Sequence, residues 1–273
     1  EQDPVVKCAG LSAFTTLVDG IEEIFKGEQE RNYLMGVLLQ AANDQNPNIQ
    51  LKALENLESI TWSYYPFMKP YMDPIFKVTV SRMNQCDAAN NDDDIVLKSI
   101  DIWAGIAEKE GELDERREDG ESDADIGLLG ITTAALGLLV PPLTHCLTLQ
   151  DEEYGAWNVS SAAAECLALM AQVAKNAIVD PVMAFVNAGL VSPDWHQREA
   201  ALTAFSSIVD GPPSIPMNLT TTPALDYIAN LMNDENECVR AAAVWTAGRI
   251  CHTHPTVVAD PTRLNPSIER FVL

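Results

Sequence analysis

Basic and aromatic residues are scarce in this sequence. Only 17 Lys and Arg residues accompany 40 Asp and Glu residues, which gives a formal net charge of -23. A surface with this charge repels nucleic acid and attracts basic proteins. Aromatic residues make up 7% of the chain, yet 47% of it is hydrophobic, which is too apolar for a disordered acidic segment. Frequent Ala and Leu with few aromatics favour helices that pack closely through small residues.

Motifs for catalysis and metal binding are also missing. The sequence has no glycine-rich phosphate loop, no H-E-x-x-H and no nucleophile elbow. Cys251-His252 followed by His254 cannot be a metal site, because residues two apart do not share a helix face and no second ligand pair exists. The six cysteines include no C-x-x-C pair, which indicates reduced thiols of a cytosolic or nuclear protein. We therefore expect no enzymatic activity, no metal and no cofactor.

No signal peptide is visible, and we expect the chain to be a piece of a longer protein, because it starts without Met and ends in an apolar segment, 268–273. The run 126–150 has no acidic or basic residue except His145. Pro141-Pro142 interrupts this run, several threonines dilute it and no basic cluster flanks it. We interpret it as a buried helix and expect no membrane insertion.

One motif recurs along the chain: a turn or cap residue, then a basic residue, then an Ala/Leu-rich helix. The basic position falls at Lys52, Lys98, Arg198 and Arg240, and Ser160 occupies it in a degenerate copy. Most of these intervals are close to the period of about 40–47 residues that is typical of HEAT and armadillo repeats. The longest interval, between positions 98 and 160, contains the charge-dense segment 112–125, which we interpret as an inserted loop.

Each copy predicts the second helix of an antiparallel pair, because Asp, Asn or Ser caps its start and alanines allow a close partner. The predicted fold class is all-α, a right-handed α-solenoid of HEAT repeats in which each pair buries its apolar face by stacking on its neighbours. The predicted first (A) helices are 29–43, 67–85, 126–149, 177–191 and 223–233; the predicted second (B) helices are 48–64, 94–109, 158–174, 194–209 and 236–252. The expected repeats are 28–65, 66–111, 126–175, 176–210 and 215–253, preceded by a truncated repeat at 5–25 and followed by the start of another at 256–273.

Several segments resemble the importin-β family of nuclear transport receptors. They are the segment Tyr64–Pro74, Pro193-Asp194-Trp195 with the Arg198-Glu199-Ala200-Ala201 that follows, and Val239–Cys251. The last departs at Val244, where the family pattern has Ala. Gln150-Asp151-Glu152 before Trp157-Asn158 is similar to the family's acidic loop. The matches keep their order over nearly the whole chain, and they imply a piece from the fifth HEAT repeat to the start of the eleventh.

The resemblance implies that Phe-Gly repeats of nucleoporins bind between A helices on the convex face of the solenoid. The matching positions are Glu30, Tyr33, Leu34 and Tyr71, and Ile75 lies one turn after Tyr71. Glu30, Tyr33 and Leu34 share one helix face by their spacing. The alternative is that Tyr33 and Leu34 are core residues.

On the concave face the resemblance implies that B-helix tryptophans stack on Arg and Lys of the basic importin-α segment, while carboxylates bind the charges. Trp157 and Trp245 match two family tryptophans. Trp103 follows Lys98 by the same spacing as Trp245 follows Arg240. The candidate residues are Trp157, Trp245, Trp103, Asp101, Glu108 and Glu110. The alternative for each tryptophan is a place in the core.

Asp151, Glu152 and Glu153 match the family's acidic loop, which contacts RanGTP and cargo and is longer in the family. The expected partners are the importin-α segment, Phe-Gly nucleoporins, basic cargo and, weakly or partially, RanGTP, in the cytoplasm, nucleus and nuclear pore. The alternative is another HEAT scaffold, such as a phosphatase scaffolding subunit, but the uneven repeat intervals and the Trp-bearing B helices argue against it.

Overall fold

The computed structural model describes residues 3–87, 94–122, 126–150, 157–215 and 224–255, and within these ranges every regular element is a helix. The α-helices are α1 (Pro4–Thr15), α2 (Glu22–Lys26), α3 (Glu28–Ala41), α4 (Pro47–Ser63), α5 (Met72–Gln85), α6 (Asp94–Glu118), α7 (Ile131–Leu147), α8 (Val159–Ala174), α9 (Val179–Gly189), α10 (Trp195–Ile208), α11 (Ala224–Leu231) and α12 (Glu237–Thr253). The all-α prediction is confirmed. The predicted acidic loop at 151–153 and the predicted further repeat at 256–273 lie outside the described residues.

The B helices begin where the repeat motif places a cap. Side-chain oxygens of Asn46, Asn158, Asp194 and Asn236 each accept a hydrogen bond from a backbone N–H of the first turn. These bonds satisfy donors that have no partner within the helix. The cap residues therefore start α4, α8, α10 and α12, within a residue or two of the predicted positions.

The helices pair as A and B: α3 with α4, α5 with α6, α7 with α8, α9 with α10, and α11 with α12. Successive B helices also pack on one another, from α1 through α12, and they do so more extensively than successive A helices. Small residues allow this approach, because Ala53, Ala107, Ala163, Ala204 and Ala243 are fully buried. One continuous apolar core runs through the stack, as expected for repeats that cover each other's apolar faces.

Two segments differ from the predictions. The B helix α6 continues to Glu118, so the first part of the predicted inserted loop at 112–125 is helical, and buried Leu113 extends its apolar face. The truncated repeat predicted at 5–25 is not one continuous helix, because α1 ends at Thr15 and a 3-10 turn leads to α2. The break carries Phe25 into the core, where its ring stacks on Tyr64 with 4.0 Å between the centroids.

The apolar run at 126–150 contains α7, and ten of its residues from Ile131 to Leu147 are buried. Pro141 and Pro142 lie within this helix and do not end it. By length and composition one other described helical run, Val159–Gly189, could cross a membrane, and half of its most apolar window is buried. This run consists of α8 and α9, joined by a 3-10 turn at Lys175, where φ is 50°.

A buried carboxylate joins the second and third helix pairs. Glu110 of α6 is fully buried and accepts hydrogen bonds from the Tyr65 hydroxyl and from the backbone N–H groups of Ile131 (2.6 Å) and Thr132 (3.0 Å). The two backbone donors belong to the first turn of α7, so Glu110 caps that helix from outside it. Burial and the Glu110 carboxylate raise the pKa of Tyr65, which keeps the phenol protonated as a donor.

Arg198, at the basic position of the motif, links the fourth and fifth pairs. Its Nε and Nη2 atoms each lie 2.8 Å from an oxygen of Asp234, and Nη1 donates to the carbonyls of Ser192 and Pro193. Both side chains are about nine-tenths buried. The hydrogen bond from Arg198 holds the pKa of Asp234 below its usual value. The basic position therefore serves the stacking of repeats.

The first prediction concerns the Glu110 cap. We expect Glu110→Gln to lower the free energy of unfolding by about 2 kcal/mol, because the amide offers only one acceptor oxygen to three donors. Urea unfolding followed by circular dichroism measures the change. Glu108→Gln is the matched control: Glu108 is exposed on the same helix, so its effect should stay within about 0.5 kcal/mol. Equal effects of the two variants would contradict the role of Glu110.

The second prediction concerns pH. The pKa of Asp234 is lower in the folded chain, so its contribution to stability is present above its ordinary pKa and is lost as the pH falls through the lowered value. Between about pH 5 and about pH 3, wild type should therefore lose more stability than Asp234→Asn. Thermal unfolding across this range measures both slopes. Glu235→Gln, at an exposed neighbour, should keep the wild-type slope.

Candidate functional site

The residues predicted to bind nucleoporins lie on both sides of α3. Glu30 and Tyr33 are exposed, and Tyr33 has 77% of its surface in solvent. Leu34 lines a groove of about 600 Å³ between α1 and α3, together with Val37 and Phe14. The alternative that Tyr33 is a core residue is wrong, and Leu34 is partly buried at the edge of this groove.

Tyr71 and Ile75 lie in the core instead of an open groove. Tyr71 is 8% exposed and Ile75 is fully buried. The Tyr71 hydroxyl donates to the amide oxygen of Asn32 and accepts from Nε of Arg31 at 3.2 Å. Tyr71 therefore ties α3 to the turn before α5, on a different side of α3 from the Leu34 groove. The five predicted residues do not form one site, because α3 packs against α5 through Tyr71.

Two of the three predicted tryptophans are exposed. Trp157 has 57% of its surface in solvent and Trp245 has 67%. Trp157 lies just before α8, and Trp245 lies in α12. Trp103 is only 2% exposed; its Nε1 donates to Thr79 at 2.8 Å and its ring meets Phe76 edge-on. Trp103 is therefore a core residue that joins α5 to α6, and its prediction as a binding residue is wrong.

Trp245 lines a groove of about 970 Å³ along α12. Val244 and Gly248 contribute apolar surface to this groove, Asp210 contributes one negative charge, and Arg240 and Arg249 contribute two positive charges. An apolar slot with charges at its rim suits a long side chain that has an apolar stem and a charged end.

The acidic candidates of α6 have different surroundings. Asp101 bonds Lys98 at 2.8 Å, and Lys98 bonds Glu58 of α4 at the same distance. Glu108 is exposed. Glu110, also considered as a surface acid, is the buried cap of α7. Asp101 and Glu108 therefore remain on the surface formed by the B helices, and Glu110 does not.

Trp62 is a residue of this surface that the sequence interpretation missed. It lies in α4, is partly exposed, and the ammonium of Lys109 lies 4.8 Å from the centroid of its ring. Lys109 belongs to α6 and also bonds Glu112 at 2.9 Å. The available signal was a tryptophan in a predicted B helix, but Trp62 does not have the spacing from a basic position that selected Trp103. Nothing in the sequence links Trp62 to a lysine 47 positions away.

Metal binding has no support in the part of the chain that the structure describes, because no group of three or more His, Cys, Asp or Glu side chains converges there. The thiols of Cys146 and Cys166 are buried, and burial raises the pKa of both. Neutral buried thiols are poor nucleophiles and poor metal ligands.

Comparisons with known proteins agree with this architecture. A sequence family described as HEAT-like repeat matches residues 195–250. Importin subunit beta-1 of Schizosaccharomyces pombe is 34% identical over 100% of this chain, which corresponds to 32% of that protein. The chain thus spans about a third of the length of this relative.

Solved structures give the same result at the level of the fold. The Kap95:Nup1 complex superposes with a TM-score of 0.90 at 30% identity, over 99% of this chain and 31% of that chain. A structure of Kap95p with RanGDP gives 0.89 at 30% identity, over the same shares. Sequence and fold agree over nearly the full length, and this chain belongs to the importin-β family of HEAT-repeat proteins.

Proposed function

We propose that this chain is part of a nuclear import receptor that binds basic protein segments on the surface of its B helices. The observation that carries the proposal is the exposure of Trp157 and Trp245 on a strongly acidic chain. Large aromatic rings are costly to leave in water, and exposed ones mark places where a partner binds. The face of an indole ring attracts the cationic ends of Lys and Arg side chains.

The partner that fits this surface is the basic segment of importin-α or a basic cargo. Each Lys or Arg would stack its stem or guanidinium on an indole, while carboxylates such as Asp101 and Glu108 neutralise the charge. The net charge of -23 would also speed the encounter with a basic segment at low salt. In this function the chain binds other proteins and catalyses no reaction.

A second binding function, for Phe-Gly nucleoporins, is supported by the groove between α1 and α3. This groove has apolar walls from Leu34, Val37 and Phe14, and exposed Tyr33 lies on the same helix. A single Phe side chain fits an apolar slot of this kind, and one such anchor gives weak binding. The relative Kap95 forms a complex with Nup1. Tyr71 and Ile75 do not line this groove and are buried in the core.

A contact with Ran rests on the relative alone. Kap95p binds RanGDP in a solved structure, and the acidic loop that suggests such a contact here, at 151–153, lies outside the described residues. We propose that Ran contributes weakly to this part of the receptor and that the full receptor uses it to release cargo. Such a receptor works in the cytoplasm, the nucleus and the nuclear pore.

The third prediction tests the tryptophans. Trp157→Ala together with Trp245→Ala should weaken binding of the basic importin-α segment about five- to thirtyfold, because each lost stacking contact is worth about 0.5–1 kcal/mol. Wild-type affinity should also fall as the salt concentration rises. Calorimetric titration measures both effects. Val191→Ala, at an exposed apolar residue between α9 and α10, is the control. If the double variant bound like wild type, the proposed surface would be wrong.

The fourth prediction tests the proposed nucleoporin site on α3, where Tyr33 is exposed and the adjacent Leu34 lines the groove between α1 and α3. Tyr33→Ala should lower the affinity for a Phe-Gly peptide by about tenfold, the loss typical of one aromatic anchor. Tyr227→Ala, at a half-exposed tyrosine in another A helix, should leave the affinity unchanged. Tyr71→Phe should also have no effect, because it removes only a hydroxyl that bonds Asn32. Fluorescence titration with a labelled peptide measures all three. Equal losses from Tyr33→Ala and Tyr227→Ala would argue against the groove.

A further inference from the structure

In the free chain, the ammonium group of a lysine already lies over the indole ring of Trp62. Trp62 is in α4 and Lys109 is in the adjacent B helix α6, and the Lys109 ammonium lies 4.8 Å from the ring centroid. The ring is supported from α6 at Gly105, where a Cβ atom would be 4.0 Å from ring atom Cε3. A Cβ atom at that distance would make an ordinary van der Waals contact, so α6 lies beside the indole at Gly105.

The Lys109 side chain is held by two attractions. Its ammonium lies over Trp62 and also bonds the carboxylate of Glu112, three residues along the same helix, at 2.9 Å. Residues three apart are neighbours on a helix surface, so Glu112 is a partner for Lys109 that does not depend on Trp62. The cation on the indole is exchangeable, because a cation–π contact at a partly exposed site is weak.

The surrounding charges favour another cation. Glu55, Glu58, Asp101, Glu108 and Glu112 lie along α4 and α6 around Trp62, and the lysines among them are Lys52, Lys98 and Lys109. Each of these lysines bonds a carboxylate at 2.7–2.9 Å. The acids exceed the bases on this patch even after that pairing. An incoming Lys or Arg therefore finds an aromatic face and unneutralised carboxylate charge together.

We propose that Trp62 is a binding position for one Lys or Arg side chain of the basic segment, and that Lys109 occupies this position until the segment displaces it. The inference rests on the proposed function, since it adds a position to the same B-helix surface. It extends that surface to α4, beyond the residues that the resemblance to importin-β identifies. Lys109 acts here as an internal competitor that lowers the affinity of the free receptor for weakly basic segments.

The competition makes a specific prediction. In wild type, a ligand cation gains the Trp62 contact only as Lys109 loses it, so the net contribution is small. Lys109→Met keeps an apolar stem and removes the competing charge, so the affinity for the basic importin-α segment should rise about fivefold, the equivalent of one cation–π contact. In Lys109→Met, a further Trp62→Leu substitution should remove this gain, because Leu keeps apolar contact with α6 but offers no π face.

Lys52→Met is the matched control for the change in net charge. Lys52 lies in α4, is partly exposed, and pairs with Glu55 three residues along, as Lys109 pairs with Glu112. Its ammonium lies over no ring in the part of the chain that the structure describes. Calorimetric titration of wild type and the variants with the same synthetic segment, at one salt concentration, gives the affinities. Circular dichroism confirms that each variant is folded.

The outcomes separate this inference from the proposed function. A gain with Lys109→Met that exceeds the gain with Lys52→Met, and that Trp62→Leu abolishes, supports the competitor. Equal gains in affinity from Lys109→Met and Lys52→Met would mean that only the net charge matters, and this would overturn the inference. A gain in affinity that remains after Trp62→Leu would overturn it as well. If wild type binds the segment and Lys109→Met adds nothing, only this inference fails. If neither wild type nor Lys109→Met binds the segment, the proposed function fails with it.

Discussion

The structure depends on one constraint, which is that no helix pair can cover its own apolar face. Each pair must therefore stack on the next, and the B helices do so closely because alanines face their neighbours. The same constraint explains the composition. Small residues at the helix contacts leave little room for aromatic rings in the core. Most of the tryptophans and tyrosines therefore have a specific structural or proposed binding role. Phe25 on Tyr64 and Trp103 on Phe76 are the aromatic pairs that join neighbouring helices inside the stack.

Polar groups are used at the joints between repeats, where an apolar contact alone would not fix the direction of the chain. Glu110 closes the start of α7 from the neighbouring helix α6, and Arg198 bonds its own turn and the next one. A buried charge is stable only when several partners neutralise it, which makes such bonds geometrically exacting. The residues that mark the repeat in the sequence are for this reason structural residues, and the proposed binding residues lie between them.

The aromatic residues on the B helices differ in what covers their rings. Trp103 is covered by α5, Trp62 is covered in part by Lys109, and Trp157 and Trp245 are open. All of them lie in or beside B helices of an acidic chain, yet only the open and the partly covered rings can meet a partner. On the A-helix face the same distinction separates exposed Tyr33 from Tyr71, whose hydroxyl is used by Asn32. Ring exposure, and not residue type, therefore separates the proposed binding positions from the core residues.

The sequence by itself determined the class of fold, the helix pairs and the starts of the B helices, because caps, prolines and apolar periodicity act within a few residues. It also gave Trp157 and Trp245 as candidate binding residues, through matches to a known family, and the structure leaves both rings exposed. Only the tertiary structure decided that Trp103, Tyr71 and Ile75 are core residues, that Glu110 caps a helix 21 residues away, and that Lys109 lies over Trp62. These contacts depend on which faces of non-adjacent helices meet when the repeats stack. The local spacing of residues in the sequence does not determine which faces meet.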